Sequence, residues 1–111
     1  MEFILKGKPK STQHIYGHTG HRVYMTKEGK ALKEDYQWQV KSQYRGKPIT
    51  KDIDLRIELF FGDNRVRDID NYNKILLDAF TGILWEDDSQ ITSLLIIKNK
   101  DIKNPRIELQ L

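Results

Sequence analysis

The sequence predicts an α+β fold of layered α/β type, a mixed β-sheet packed with two α-helices. Three observations predict it. Residues 52–61 alternate between apolar and polar side chains. Two longer stretches, about 27–44 and 69–83, carry apolar residues three and four apart. The order reads strand, loop, helix, strand, helix, strand, strand, and packing both helices on one mixed sheet buries every apolar face at once.

Each element has its own signal. Residues 2–6 read as a short strand, and residues 7–21, rich in Gly, polar and basic residues, read as a loop. Arg22 to Met25 suits a further short strand. Thr26 is a helix N-cap, and Leu32, Tyr36, Val40 and Tyr44 recur every four residues to form one apolar stripe. Gly46, Lys47 and Pro48 end that helix. Ile53, Leu55, Ile57, Leu59 and Phe61 then turn to one face of a strand, with mostly polar residues on the other. Gly62-Asp63-Asn64 breaks it, and a second helix is expected from about Ile69 to Ile83, with Ile75, Leu76, Ala79, Phe80 and Ile83 on one side. Residues 91–98 read as a strand buried more continuously, residues 99–105 as a turn, and Ile107, Leu109 and Leu111 as the core face of a last strand.

Composition narrows the function classes. The chain is 111 residues long, 38% hydrophobic and 32% charged, which suits one domain over residues 1–111 with a modest core. There is no cysteine, so disulfides, Cys-ligated zinc and thiol catalysis are excluded. No stretch approaches the roughly 20 apolar residues of a membrane span, and the N-terminus does not read as a signal peptide; a cytoplasmic location is expected. The net charge of +3 is unevenly placed. Residues 62–90 hold seven acids against three bases, a net −4, which leaves +7 for the remainder. A basic body around an acidic focus suits a protein that holds a polyanion and gathers cations at one spot.

That focus is Arg65-Val66-Arg67-Asp68-Ile69-Asp70-Asn71-Tyr72-Asn73-Lys74, followed by Trp85-Glu86-Asp87-Asp88. On an extended backbone Asp68 and Asp70 share one face. They lie where a strand exit meets a helix N-terminus, which favours anionic groups. Lys74 follows Asp70 at the i,i+4 spacing, and Asp88 precedes the next strand. Phosphodiester cleavage uses such a set: carboxylates hold magnesium, magnesium activates water, and a lysine neutralises developing charge. Blander readings exist for each part. Asp68 and Asp70 suit helix caps, Asp70 and Lys74 a surface ion pair, and residues 86–88 a solvated turn.

The combined motif is more specific than its parts. Arg67-Asp68-Ile69-Asp70-Asn71-Tyr72-Asn73-Lys74, then Leu77-Asp78-Ala79-Phe80-Thr81-Gly82, then Leu84-Trp85-Glu86-Asp87-Asp88-Ser89-Gln90-Ile91, closely resembles the RusA family of Holliday junction resolvases. The resemblance is strong in this block and extends weakly over nearly all of the chain. It implies a homodimeric, magnesium-dependent endodeoxyribonuclease, with manganese able to substitute, that resolves four-way or branched DNA by paired symmetric nicks in recombination and repair. It places the catalytic metal-binding carboxylates on Asp68, Asp70 and Asp88 and the essential lysine on Lys74, with Asp87 a weaker candidate. No membrane and no small-molecule cofactor are expected. The N-terminal loop, Pro9-Lys10-Ser11-Thr12-Gln13, lacks the second proline and the asparagine of the family's pattern, a departure that bears on DNA contact and not on the metal site. A two-fold dimer also matches the task, since two symmetric cuts need two sites. The alternative reading is a non-catalytic module that grips branched DNA.

Lys6, Lys8, Lys10, Arg22, Lys27 and Lys30, with Arg65 and Arg67 beside the acids, are the expected phosphate contacts. Tyr16, Tyr24 and Tyr72 suit either packing or stacking on unpaired bases. His14, His18 and His21 lack an evident fourth ligand and read as phosphate contacts or exposed residues. Trp85 reads as core that holds Asp88 in place.

Overall fold

The alternating strand lies at the centre of the architecture. In the computed structural model, which describes residues 1–13 and 15–111, the elements are β1 (Glu2–Lys6), β2 (Tyr16–Thr19), β3 (Arg22–Met25), α1 (Lys27–Gln43), β4 (Ile53–Phe61), α2 (Asn73–Phe80), β5 (Ile91–Lys100) and β6 (Arg106–Gln110). Short 3-10 turns at Ile69–Asn71 and Asp88–Gln90 flank α2 and its exit loop. Four strands form a mixed sheet in the order β1-β6-β4-β5, and β2 and β3 form a separate hairpin. β6 runs antiparallel to both β1 and β4, while β4 and β5 are parallel, joined by α2. This is the mixed α+β arrangement the sequence predicts.

The core follows the predicted period of two. Ile53, Leu55, Ile57, Leu59 and Phe61 are all buried, joined by Phe3 and Leu5 of β1 and Ile107 and Leu109 of β6. α1 adds Leu32, Tyr36 and Val40, and α2 adds Ile75, Leu76, Ala79 and Phe80. Thr26 is the N-cap of α1, its Oγ1 accepting from the Gly29 N–H at 3.1 Å. Gln37 Nε2 donates to the Ala79 carbonyl at 3.0 Å and so satisfies a carbonyl in the last turn of α2. Two further glutamines of α1 reach the outer edge of β1. Gln43 Oε1 accepts from the Ile4 N–H and its Nε2 donates to the Ile4 carbonyl; Gln39 treats Lys6 in the same way.

Three expectations are corrected. Within the expected loop of residues 7–21 the hairpin strand β2 forms, with Tyr16 opposite Met25 and Gly20 at φ 59 in the turn. It is mostly exposed, so no apolar alternation announced it. The second helix is shorter than 69–83. Thr12 donates to the Asn71 carbonyl from both its N–H and its Oγ1, taking the acceptor that a continuous helix would use, and Tyr72 turns its ring onto Phe61, 5.2 Å between centroids. At the other end Thr81 is extended and Gly82 takes φ +88, a conformation glycine adopts without strain. Finally, β5 is an edge strand whose residues 92–95 are exposed, although its apolar run reads as burial on both faces.

Candidate active site

Asp68 and Asp70 emerge from the chain just after β4. Arg67 fixes this exit: its guanidinium pairs with Asp63 at 2.7 Å and lies 4.3 Å over the Phe61 ring. That pairing, with the Arg65 N–H donating to Asp63, holds the Asp63 carboxyl well below the usual carboxylate range. Asp68 then takes an extended conformation and leads into the 3-10 turn that carries Asp70. Both side chains are exposed, and among the described residues neither carboxylate has a hydrogen-bond or ion-pair partner. The cap reading of Asp68 therefore fails, because its side chain makes no cap bond.

Lys74 opens the first turn of α2 but does not pair with Asp70. The break at Tyr72 carries it toward Asp78, 3.2 Å away, with its Nζ 4.4 Å over the Tyr16 ring. Tyr16 in turn donates its hydroxyl hydrogen to Asp78. Burial, reinforced by that carboxylate, raises the Tyr16 hydroxyl well above its ordinary range. The ammonium thus stays exposed but oriented, held by an acid and a ring from two different elements. Asp78 was visible only as the acid one turn beyond Lys74, and the hairpin tyrosine had no local signal tying it to that pair.

Asp88 is held at the opposite end of α2. Its Oδ1 accepts from Thr81 Oγ1 at 2.5 Å and from Trp85 Nε1 at 3.0 Å. Trp85 is fully buried and meets Phe80 edge-on at 6.3 Å, so the core sets the direction of the carboxylate, as the sequence reading of Trp85 expects. Asp87 has a structural task. It caps the following 3-10 turn by accepting from the Ser89 N–H at 3.0 Å, while Gln90 Oε1 accepts from the Asp87 N–H at 2.8 Å. Hydrogen bonds from Ser89 hold the Asp87 carboxyl below its ordinary value. The stretch 86–88 is a capped turn and not a merely solvated one.

The expected phosphate contacts are distributed over the surface. Lys8 and Lys10 line a groove with Gln13, Glu28, Asp35 and Arg67, next to the exit of β4. Pro9 is buried at its base, and the Lys10 backbone reaches the Tyr36 hydroxyl. Lys6 ends β1, Arg22 starts β3, and Lys27 opens α1, all exposed but not gathered into that groove. Arg65 is exposed, whereas Arg67 is half-buried in its pairing with Asp63. His18 and His21 are exposed on the hairpin, and His14 lies outside the described residues.

Oxygen ligands suit a divalent cation such as magnesium, which commonly takes one or two carboxylates with water and substrate phosphate. Asp68 and Asp70 meet that minimum. A three-acid site is not assembled within one chain: among the described residues no group of three His, Cys, Asp or Glu is placed to hold a metal. α2 separates Asp70, before its first turn, from Asp88, beside its last; eight residues of helix rise about 12 Å. Among the described residues no helix is long and apolar enough to cross a membrane.

An exposed acid pair and, four residues on, an oriented lysine stand on this layered α+β frame, and comparison with known proteins gives the class. Residues 6–111 match the family described as Endodeoxyribonuclease RusA. A crossover junction endodeoxyribonuclease RusA of Escherichia coli strain K12 is 30% identical over 102 residues, covering 91% of this chain and 85% of the relative. The protein of the same name from Enterobacteria phage 82 has the same identity and coverage, and that of Escherichia coli O139:H28 is 28% identical over 102 residues. The chain belongs to the RusA family.

Proposed function

We propose that the chain is a structure-selective endodeoxyribonuclease that resolves four-way DNA junctions, acting as a magnesium-dependent homodimer in cytoplasmic recombination and repair. The observation that carries this reading is the Asp68–Asp70 pair, exposed and without partners among the described residues, with Lys74 four residues on, in a chain of the RusA family. Free carboxylates on a basic protein are costly to place beside DNA phosphate unless a cation lies between them.

Asp68 and Asp70 would hold the metal, with manganese able to replace magnesium; the ion supplies an activated water and charge neutralisation when bound. Lys74, kept in place by Asp78 and the Tyr16 ring, offers its ammonium to the scissile phosphate. Lys8 and Lys10 in the groove, with Lys6, Arg22, Lys27 and Arg65 elsewhere on the surface, hold the DNA arms by their phosphates. Two copies related by a two-fold axis provide the two symmetric cuts.

The test is cleavage of a labelled synthetic four-way junction beside a linear duplex, with and without magnesium. Paired symmetric nicks confined to the junction and to the metal-containing reaction are expected. Asp70→Asn is expected to lower cleavage roughly 100-fold or more while junction binding is kept. Tight binding without cutting by the wild type, in magnesium and in manganese, would assign a binding module instead.

A further inference from the structure

The chain between β4 and the acid pair is short and tied down. At its root Gly62 passes Pro105 so closely that a Cβ there would meet the proline ring at 2.9 Å. The Asp63 carboxylate then accepts from the Arg65 N–H at 3.0 Å and pairs with the Arg67 guanidinium at 2.7 Å. That guanidinium also donates to the Arg65 carbonyl at 3.4 Å, and the Arg67 carbonyl accepts from Lys98 Nζ of β5 at 3.0 Å. Both neighbours of Val66 are therefore fixed, and Val66 is the tip between them.

Val66 is 98% exposed, more than any other large apolar side chain among the described residues, and it stands outside the core. A single exposed apolar residue ordinarily calls for no explanation. This one differs by its place. It lies between two arginines and two residues before Asp68, and Ile69, 37% exposed, follows directly on that acid. Apolar side chains thus bracket Asp68 where the nuclease reading sets it against DNA. Phosphate offers such side chains nothing to bury against, whereas the face of a base does once it has lost a stacking neighbour. In a linear duplex each base face is covered by the next; at a branch point the strands part and that cover is interrupted.

We propose that Val66 is a wedge: on branched DNA it packs against a base face at the branch point, while Arg65 holds the adjoining phosphate, and this contact favours branched over linear DNA. The inference rests on the nuclease reading above and names the residue that reads substrate shape at that site. Preorganisation makes a small side chain sufficient. The loop is already ordered by Asp63, Arg67 and Lys98, so little conformational freedom is lost when Val66 is covered. A linear duplex offers the loop its phosphates alone, and Arg65 meets those with or without the valine. Val66 therefore acts on the difference between two substrates, which a phosphate contact does not.

Wild type, Val66→Ser and Val66→Leu are titrated onto a four-way junction carrying 2-aminopurine at the branch and onto a linear duplex carrying it at the same sequence position. Divalent metal is left out, so that binding is read without cutting. Val66 is almost fully exposed, and neither substitution removes a contact that holds the fold. Wild type is expected to raise the 2-aminopurine fluorescence of the junction as the base unstacks. Val66→Ser is expected to bind the junction roughly 10-fold more weakly with a smaller rise at saturation, and Val66→Leu to keep both. Duplex affinity is expected to be the same for all three. An equal loss on junction and duplex, a Val66→Ser indistinguishable from wild type, or junction binding with no rise in fluorescence overturns the wedge. A wild type that opens the branch but cuts nothing once magnesium is added removes the resolvase reading and leaves the wedge standing. Failure to bind the junction at all overturns both.

Discussion

At the scale of single residues, the candidate site is a set of side chains held by unlike means. Among the described residues Asp68 and Asp70 are held by their backbone alone, Lys74 by an acid and an aromatic ring, and Asp88 by the buried Trp85. Lys74 is 58% exposed in its side chain, so its pair with Asp78 contributes less than about 1 kcal/mol. Lys74→Ala is therefore expected to slow junction cleavage about 100-fold with a melting temperature close to wild type; a large drop in that temperature would mark the lysine as structural. Tyr36 makes a different prediction. Burial pushes its hydroxyl up to about 12, opposed in part by the hydrogen bond from the Lys10 backbone. A folded value above the unfolded one stabilises fully below about pH 10 and loses that contribution as pH rises toward 12. Denaturant melts from pH 8 to 12 are expected to show stability falling in that window, with a shallower fall in Tyr36→Phe. Parallel slopes for the two proteins would contradict it.

At the scale of elements, the interruption before α2 matters most. Tyr72 leaves the helical conformation to bury its ring against Phe61, and Thr12 takes the Asn71 carbonyl. Both bonds tie the acid-bearing turn to the body of the molecule. Tyr72→Ala is expected to cost about 3 kcal/mol, measured by urea unfolding, and to lower cleavage beyond the loss of folded protein, because Asp70 loses its support. The break was not legible from the chain. The periodicity of residues 69–83 is that of one helix, and the contacts that divide it come from residue 12 and residue 61, far away in sequence. By contrast, α1 and β4 were legible almost to the residue. Thr26 caps α1 through its own side chain, and the alternation from Ile53 to Phe61 needs no distant partner to be read. Asp68, Asp70, Lys74 and Asp88 were legible as a motif, but their spatial division by α2 was not, since spacing along a chain does not tell which end of a helix each side chain occupies.

At the scale of the whole molecule, the charge asymmetry visible in the sequence becomes spatial. Lys8, Lys10 and Arg67 line the groove at the β4 exit together with Glu28 and Asp35, and Asp68 follows Arg67 in the chain. The apolar run of β5 misled for a physical reason as well. Apolarity on both faces of a strand signals burial, but not which chain provides the cover, and here Leu94 and Leu95 are left exposed by their own.

The glutamines of α1 that reach β1 close one edge of the sheet. An edge whose Ile4 and Lys6 donors and acceptors are already used offers no template there for a further strand. Replacing both Gln39 and Gln43 by Ala uncovers the backbone groups of β1. The variant is expected to form concentration-dependent polymers in light scattering while the wild type keeps one size; equal scattering from both would show that some other feature limits growth. Two amides on one helix are enough to keep that edge closed.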